Sequence, residues 1–194
     1  MKRLLSWILT LFVAFAFVGC SSIPTPTETF QSDVEKVKKQ SKEDLVKELT
    51  DDDVFGALIQ EDPDNLFKKV MDFDYKVKDE KIAEDEKSAE LTVEITTYPF
   101  GDQLKVALTN LFMQALSGEI DTEDEDQITK MVYDELKKPK EKTYKKEVKI
   151  SYKRTDDGWK TDLANNEEFM DAVMGGMYTT VNEMNEMWGT EASE

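Results

Sequence analysis

The sequence predicts an α+β domain in which a one-sided antiparallel sheet of about four strands packs against helices. Three observations predict it. Apolar and charged residues alternate with a period of two in two regions, Phe73 to Thr97 and Tyr144 to Leu163. Around and between these regions apolar residues recur every three or four positions, the spacing of amphipathic helices. Turn chemistry, notably Asp157-Gly158, Pro99 and Pro139, punctuates each change of period, and no internal repeat is visible.

The N-terminus has a different pattern. Lys2 and Arg3 precede an apolar run of 15 residues, Leu4 to Val18, and Gly19 stands before Cys20, the only cysteine in the chain. The run is shorter than the ~20 residues of a spanning helix, and a small residue before a lone cysteine is where a signal peptidase cuts a bacterial lipoprotein precursor. The alternatives are a cleaved secretory signal with an ordinary thiol and a short membrane anchor. The favoured expectation is lipidation at Cys20, holding the domain on the outer, extracytoplasmic face of the bacterial cytoplasmic membrane. Two or three acyl chains, each gaining ~0.8 kcal/mol per buried CH₂, hold a protein stably where one does not. The expected organisation is a signal peptide at 1–19, the lipidated cysteine and a Pro/Ser/Thr spacer at 20–31, and one α+β domain at 32–190.

The elements follow in order. Ser21 to Gln31, with Pro24 and Pro26, reads as an extended spacer. Ser32-Asp33-Val34-Glu35 has the form of a capping box, and Val34, Val37, Ser41 and Leu45 continue at helical spacing toward Leu49. Asp51 to Asp53 can cap a short helix carrying Val54, Phe55, Leu58 and Ile59, and Pro63 can start another around Leu66, Phe67 and Val70. Phe73, Tyr75 and Val77, then Leu91, Val93, Ile95 and Thr97, are the inward positions of a long hairpin. Asp102 can cap a helix with Leu104, Ala107, Leu108, Leu111 and Ala115 on one face, stopped by Gly118. A helix around Ile128, Met131, Val132 and Leu136 follows, closed by Pro139. Tyr144, Val148, Ile150 and Tyr152 alternate with Lys145, Glu147, Lys149 and Lys153, and after Asp157-Gly158 a fourth strand carries Trp159, Thr161 and Leu163. Asn165 with Glu168 can cap a last helix bearing Met170, Met174, Met177, Val181, Met184 and Trp188 in one seam.

Charge and composition exclude several functions. The formal charge is −17, and −19 once Lys2 and Arg3 are removed, which repels nucleic acid and other polyanions. Cleavage of 19 residues from 194 leaves 175, enough for one core, and no second cysteine is present to form a disulfide. With no histidine, His-based triads, the usual general base and the commonest zinc ligand are absent. No nucleophile elbow, phosphate-binding glycine loop or Ser-x-x-Lys occurs. No cofactor is expected.

Four constellations remain. Asp121 to Asp126 offers hard oxygens, but it lacks a calcium loop's central glycine and has Val132 where the closing glutamate belongs, so a solvated helix N-terminus accounts for it better. Met174 to Met177 and Met184 to Met187 have a spacing that could hold Cu(I), but the methionines continue an apolar seam and are expected to pack or line a groove. Met170, Met174, Met177, Val181 and Trp188 are therefore the candidate pocket lining, with no metal. Lys145, Lys149 and Lys153 form a candidate anion or partner face, within a stretch from Lys137 to Arg154 that holds nine basic and two acidic residues. The same lysines serve equally to protect a strand from edge pairing.

Phe73-Asp74-Tyr75-Lys76-Val77, Ala89 to Ile95, and Asp157-Gly158-Trp159-Lys160-Thr161-Asp162 leading to Asn166 and Phe169 resemble a Gram-positive lipoprotein family of unknown function with an NTF2-like or cystatin-like domain. The resemblance implies a bent antiparallel sheet wrapped on helices, a cone that often encloses a cavity, and it brings no catalytic residues. The leading expectation is a non-catalytic domain that binds a small molecule or an envelope protein, with the membrane as partner through the lipid and no nucleic acid. The alternative is a small isomerase or lyase using a carboxylate and a tyrosine, drawn from Tyr75, Tyr98, Tyr144 and Tyr152. Cys20→Ala is expected to abolish metabolic palmitate labelling and release the protein from membranes. A variant that still carried label in the membrane fraction would refute lipidation at Cys20.

Overall fold

The computed structural model describes residues 23–39, 66–121 and 123–189, and among these six helices accompany one four-stranded antiparallel sheet. The predicted helical continuation to Leu49 and the short helix at 54–59 lie outside the described residues. No described helix is long and apolar enough to cross a membrane.

Helix α1, Pro26–Lys39, begins six residues before the predicted Ser32. The reason is a capping box at Thr25-Pro26-Thr27-Glu28. Thr25 Oγ1 accepts from the Glu28 N–H at 3.1 Å, and the Glu28 carboxylate accepts from the Thr25 N–H at 2.8 Å. Pro26 at the first helical position loses nothing, since its missing N–H would have no helical partner. The extension places Phe30 inside, fully buried with Val34 and Val37. The spacer expected to reach Gln31 therefore stops at Thr25. Helix α2, Leu66–Met71, buries Leu66 and Val70 as the spacing predicts.

The strands are β1 Asp74–Ile82, β2 Ser88–Thr97, β3 Tyr144–Thr155 and β4 Gly158–Lys160, in the order β1-β2-β3-β4. Alternation decides the faces. Ala89, Leu91, Val93, Ile95 and Thr97 of β2 are all buried, and Leu91, Val93 and Ala89 lie opposite Ile150, Val148 and Tyr152 of β3. A bulge between Val77 and Asp79 shifts the β1 register and bends that edge. Charged side chains occupy the outer face, with Lys78 on Glu94 at 2.8 Å and Lys149 on Glu90 at 3.0 Å. The fourth strand is shorter than predicted, ending at Lys160, although Leu163 remains buried.

On the inner face α1 and a later short helix, α5 (Glu167–Val173), meet through aromatic rings. Phe30 stands edge-on to Tyr75 and Phe169 at 5.3 and 6.2 Å, and Phe73 edge-on to Phe169 at 6.0 Å. Such pairs add ~0.5–1.5 kcal/mol each beyond burial. Helix α3, Phe100–Ser117, buries Leu104, Ala107 and Leu111, and helix α4, Glu125–Leu136, buries Val132, Tyr133 and Leu136. Gly118, at φ +70°, ends α3 as predicted, whereas Asp102 does not cap it: Pro99 holds that position and makes no side-chain cap.

The predicted last helix is two helices. Asn166, rather than Asn165, caps α5 by accepting from the Phe169 N–H at 2.8 Å, and α6 runs Met177–Gly189. Gly175 and Gly176 separate them at φ +61° and +82°, values that L side chains rarely adopt. The break lets α6 turn onto α3: the Gly101 N–H donates to the Gly175 carbonyl at 2.9 Å. A Cβ on Gly175 would lie 2.1 Å from the Tyr98 carbonyl oxygen, and one on Gly101 would lie 2.6 Å from that of Gly176. Gly175→Ala is expected to destabilise the domain by about 3 kcal/mol or more, combining backbone strain with the clash. Urea unfolding checks this, and a loss below about 1 kcal/mol would show that the crossing relaxes.

Candidate functional site

Lys146 carries the inward position that the sequence pattern skipped. It lies opposite Ile95 in the β2–β3 register, so its stem points to the core side of the sheet with Tyr144 and Val148. An ammonium there needs a partner, and Asp171 on α5 supplies it at 2.9 Å. Asp171 is only 5% exposed. Its other acceptor positions are filled by Thr179, whose N–H and hydroxyl donate at 3.0 and 2.6 Å. Thr179 lies in the first turn of α6, so Asp171 also caps that helix, reaching it because the two glycines fold the chain back.

Burial opposes ionisation of Asp171, but the Thr179 hydrogen bonds and then Lys146 outweigh it and hold the carboxyl below its ordinary value. Burial likewise opposes charge on Lys146, and the bond to Asp171, with Glu168 and other neighbours, overrides it and raises the ammonium. Tyr144, beside the pair, is pushed up mainly by burial. Burial raises Tyr75, Tyr98 and Tyr152 as well, and the Tyr98 hydroxyl donates to Asp72 at 3.1 Å. The isomerase alternative calls for a buried acid with a raised pKa. Asp171, the buried carboxylate among the described residues, is shifted the other way and committed to three hydrogen bonds.

Above this pair lies a groove of about 560 Å³ between β3, the loop before α5, and α6. Asn165, Glu168, Met170, Tyr178 and Asn182 line it together with Lys146, Asp171 and Thr179. It combines a fixed charged floor, a thioether wall and amide groups at the mouth. A second recess holds Lys68, Lys69, Asp72 and Lys137; there Lys69 donates to the carbonyls of Lys137, at 2.6 Å, and Pro139.

Of the five residues expected to line a pocket, Met170 lies on the groove wall. Met174 and Met177 are buried in the core at 1% and 4% exposure, and Val181 is 38% exposed. Trp188 belongs to α6, with its side chain outside the described part of the chain. The helix break puts Met170 on a different helix from Met177 and Val181. Lys145, Lys149 and Lys153 all lie on the solvent side of β3, opposite Thr96, Thr92 and Ser88, and Lys149 is paired with Glu90. In the acidic stretch before α4, Asp124 caps the helix by accepting from the Gln127 N–H at 3.0 Å, and Asp121 accepts from Glu123 at 2.9 Å. Cys20 lies outside the described residues.

Lys146 was legible only as one of many lysines. The available signal was its parity: counting from Val148, it falls on the apolar side of the strand. Asp171 had the matching signal, a carboxylate standing between buried Phe169 and buried Ala172 and Val173 rather than on the polar face. The chain matches no family model, no curated protein and no solved structure.

Asp171→Asn is expected to cost about 2–4 kcal/mol at neutral pH, because it leaves Lys146 without its counter-charge. The pH dependence has a definite sign. The folded Asp171 carboxyl lies below 3.8, so its contribution is complete above that pH and is lost as the pH falls through the folded value. Lys146, raised above 10.5, contributes fully below that pH and loses its contribution as the pH rises through the folded value. Thermal melts from neutral to acid pH should therefore fall less steeply for the Asn variant. Parallel curves would show that Asp171 does not carry this linkage.

Proposed function

We propose that the protein is a membrane-anchored, extracytoplasmic lipoprotein whose domain binds a small polar molecule or a protein segment in the groove above Lys146 and Asp171, without catalysis. The groove carries the reading. Its volume is that of a small-ligand site, and its polar groups are held in place before any ligand arrives. Rigidity comes from Asp171, which fixes the Lys146 ammonium from one side while α5 and α6 fix Asp171 from the other. Met170 supplies an adaptable apolar wall.

The same arrangement disfavours acid–base chemistry. A carboxylate held ionised by three donors is a poor proton acceptor, and the neighbouring tyrosine is held as a neutral phenol. Anchoring is supported by the basic, apolar and Gly-Cys segments of residues 2–20. The net charge favours a soluble, repulsive surface over association with polyanions.

Native mass spectrometry of the domain purified from its own cells tests the binding function. The expected result is a retained mass on the native domain that is lost from Met170→Trp, a substitution that sets a larger, rigid side chain into the groove wall. The variant should keep its melting temperature within about 5 °C, since Met170 is only partly buried. A retained mass unchanged by Met170→Trp would place the ligand elsewhere and defeat the proposal.

A further inference from the structure

We propose that the end of the sheet carrying the β1–β2 and β3–β4 turns rests on the lipid bilayer, so that the Lys146–Asp171 groove is held at a distance from the membrane. The inference rests on anchoring through Cys20 and goes beyond it by assigning the face that meets the lipid.

The argument begins with the length of the tether. Because α1 is capped at Thr25, only five residues of chain separate the anchor from the folded domain. At ~3.6 Å per residue that tether spans about 18 Å at full extension, against about 40 Å for a spacer that reached Gln31.

The position of Thr25 then decides which end is tethered. The N–H of Thr27 donates to the Glu80 carboxylate of β1 at 3.0 Å, and its hydroxyl donates to the same oxygen. Ile23 lies beside the β3–β4 turn, its Cγ2 3.6 Å from where a Cβ on Gly158 would stand. The Arg154 N–H donates to the Lys87 carbonyl at 2.8 Å, which puts the two turns side by side. The other end of α1 is far away, where Lys38 donates to the Phe73 carbonyl before β1 begins. The lengths agree: the 14 residues of α1 rise ~21 Å, and the stretch Asp74 to Glu80 of β1 runs ~20 Å. The chain therefore leaves the domain at the turn end.

Lys146 stands seven residues from Lys153 along β3, or ~24 Å further from the turns. To put the groove on the bilayer, the tether would have to run back along the sheet by the ~24 Å that separates Lys146 from the turns. That exceeds its ~18 Å reach.

The chemistry of the turn end suits an interface. Ile23 and Ile82 are 45% and 48% exposed there. Lys81, Lys87, Lys153 and Arg154 lie at this end among its acidic residues. Long basic side chains can extend toward headgroups while the aliphatic groups lie at the acyl boundary.

The mature chain's one cysteine is consumed by its thioether, so introduced thiols can be labelled singly. Full-length lipoprotein carrying Glu84→Cys, Asp156→Cys or Glu141→Cys, labelled with a fluorophore, is reconstituted in phosphatidylglycerol–phosphatidylethanolamine vesicles containing a headgroup-quencher lipid. Quenching at positions 84 and 156 is expected to exceed that at 141, near the start of β3, by about threefold or more. Equal quenching, or stronger quenching at 141, on protein that carries the acyl label would overturn the orientation while leaving the anchor intact. Protein that carried no acyl label would overturn the anchor and the orientation with it.

Discussion

The Asp171 carboxylate is the point at which three parts of the molecule are joined. It accepts from Lys146 on β3 and from the N–H and hydroxyl of Thr179 on α6, and it is itself carried by α5. Each partner would be costly without the others. The ammonium of Lys146 lies on the core side of the sheet, the Thr179 N–H in the first turn of α6 needs an acceptor from outside the helix, and a buried carboxylate needs donors on both oxygens. The three requirements are met by one another, and the wall of the groove is the result.

That junction depends on a change of chain direction that only glycine permits. At Gly175 the backbone passes so close to Tyr98 and Phe100 that no side chain fits, and at Gly176 the Tyr144 ring lies 3.1 Å from where a Cβ would be. The pair brings α6 against α3 and returns Thr179 to Asp171. The methionine seam that looked continuous in one dimension is thereby divided: Met174 and Met177 go to the core, and Met170 goes to the groove.

Surface charge contributes less to stability than its abundance suggests. Lys145, Lys149 and Lys153 of β3 are spread over the outer sheet face, where Lys149 meets Glu90 and the β1 residue Lys78 meets Glu94. Exposed pairs of this kind contribute little to stability, because water and salt screen them and ordering two long side chains costs entropy. Their larger effect is to make the outer face soluble and hydrated, leaving the inner face, with its aromatic contacts among Phe30, Phe73, Tyr75 and Phe169, to hold the helices. The local positive excess from Lys137 to Arg154 is therefore partly cancelled by acids that are distant in sequence and adjacent across strands.

Local patterns determined much of this architecture. Period-two alternation in β1, β2 and β3, the Asp157-Gly158 turn, the stop at Gly118 and the helical faces around Leu104 and Val132 are short-range signals, and the α+β class with its four-stranded antiparallel sheet follows from them. The start of α1 was legible too, in Thr25-Pro26-Thr27-Glu28, but two prolines made a stronger competing signal for a spacer. What only the tertiary structure decided was which polar residues meet. Lys146 and Asp171 are 25 residues apart and belong to elements of different period, so no local pattern links them. Their pairing depends on strand register, on the helix break at Gly175-Gly176 and on the burial that makes an unpartnered charge too costly. The same physics placed the groove: alternation and amphipathicity say which side of an element is apolar, but a concavity exists only where two such sides, from elements distant in the chain, fail to close.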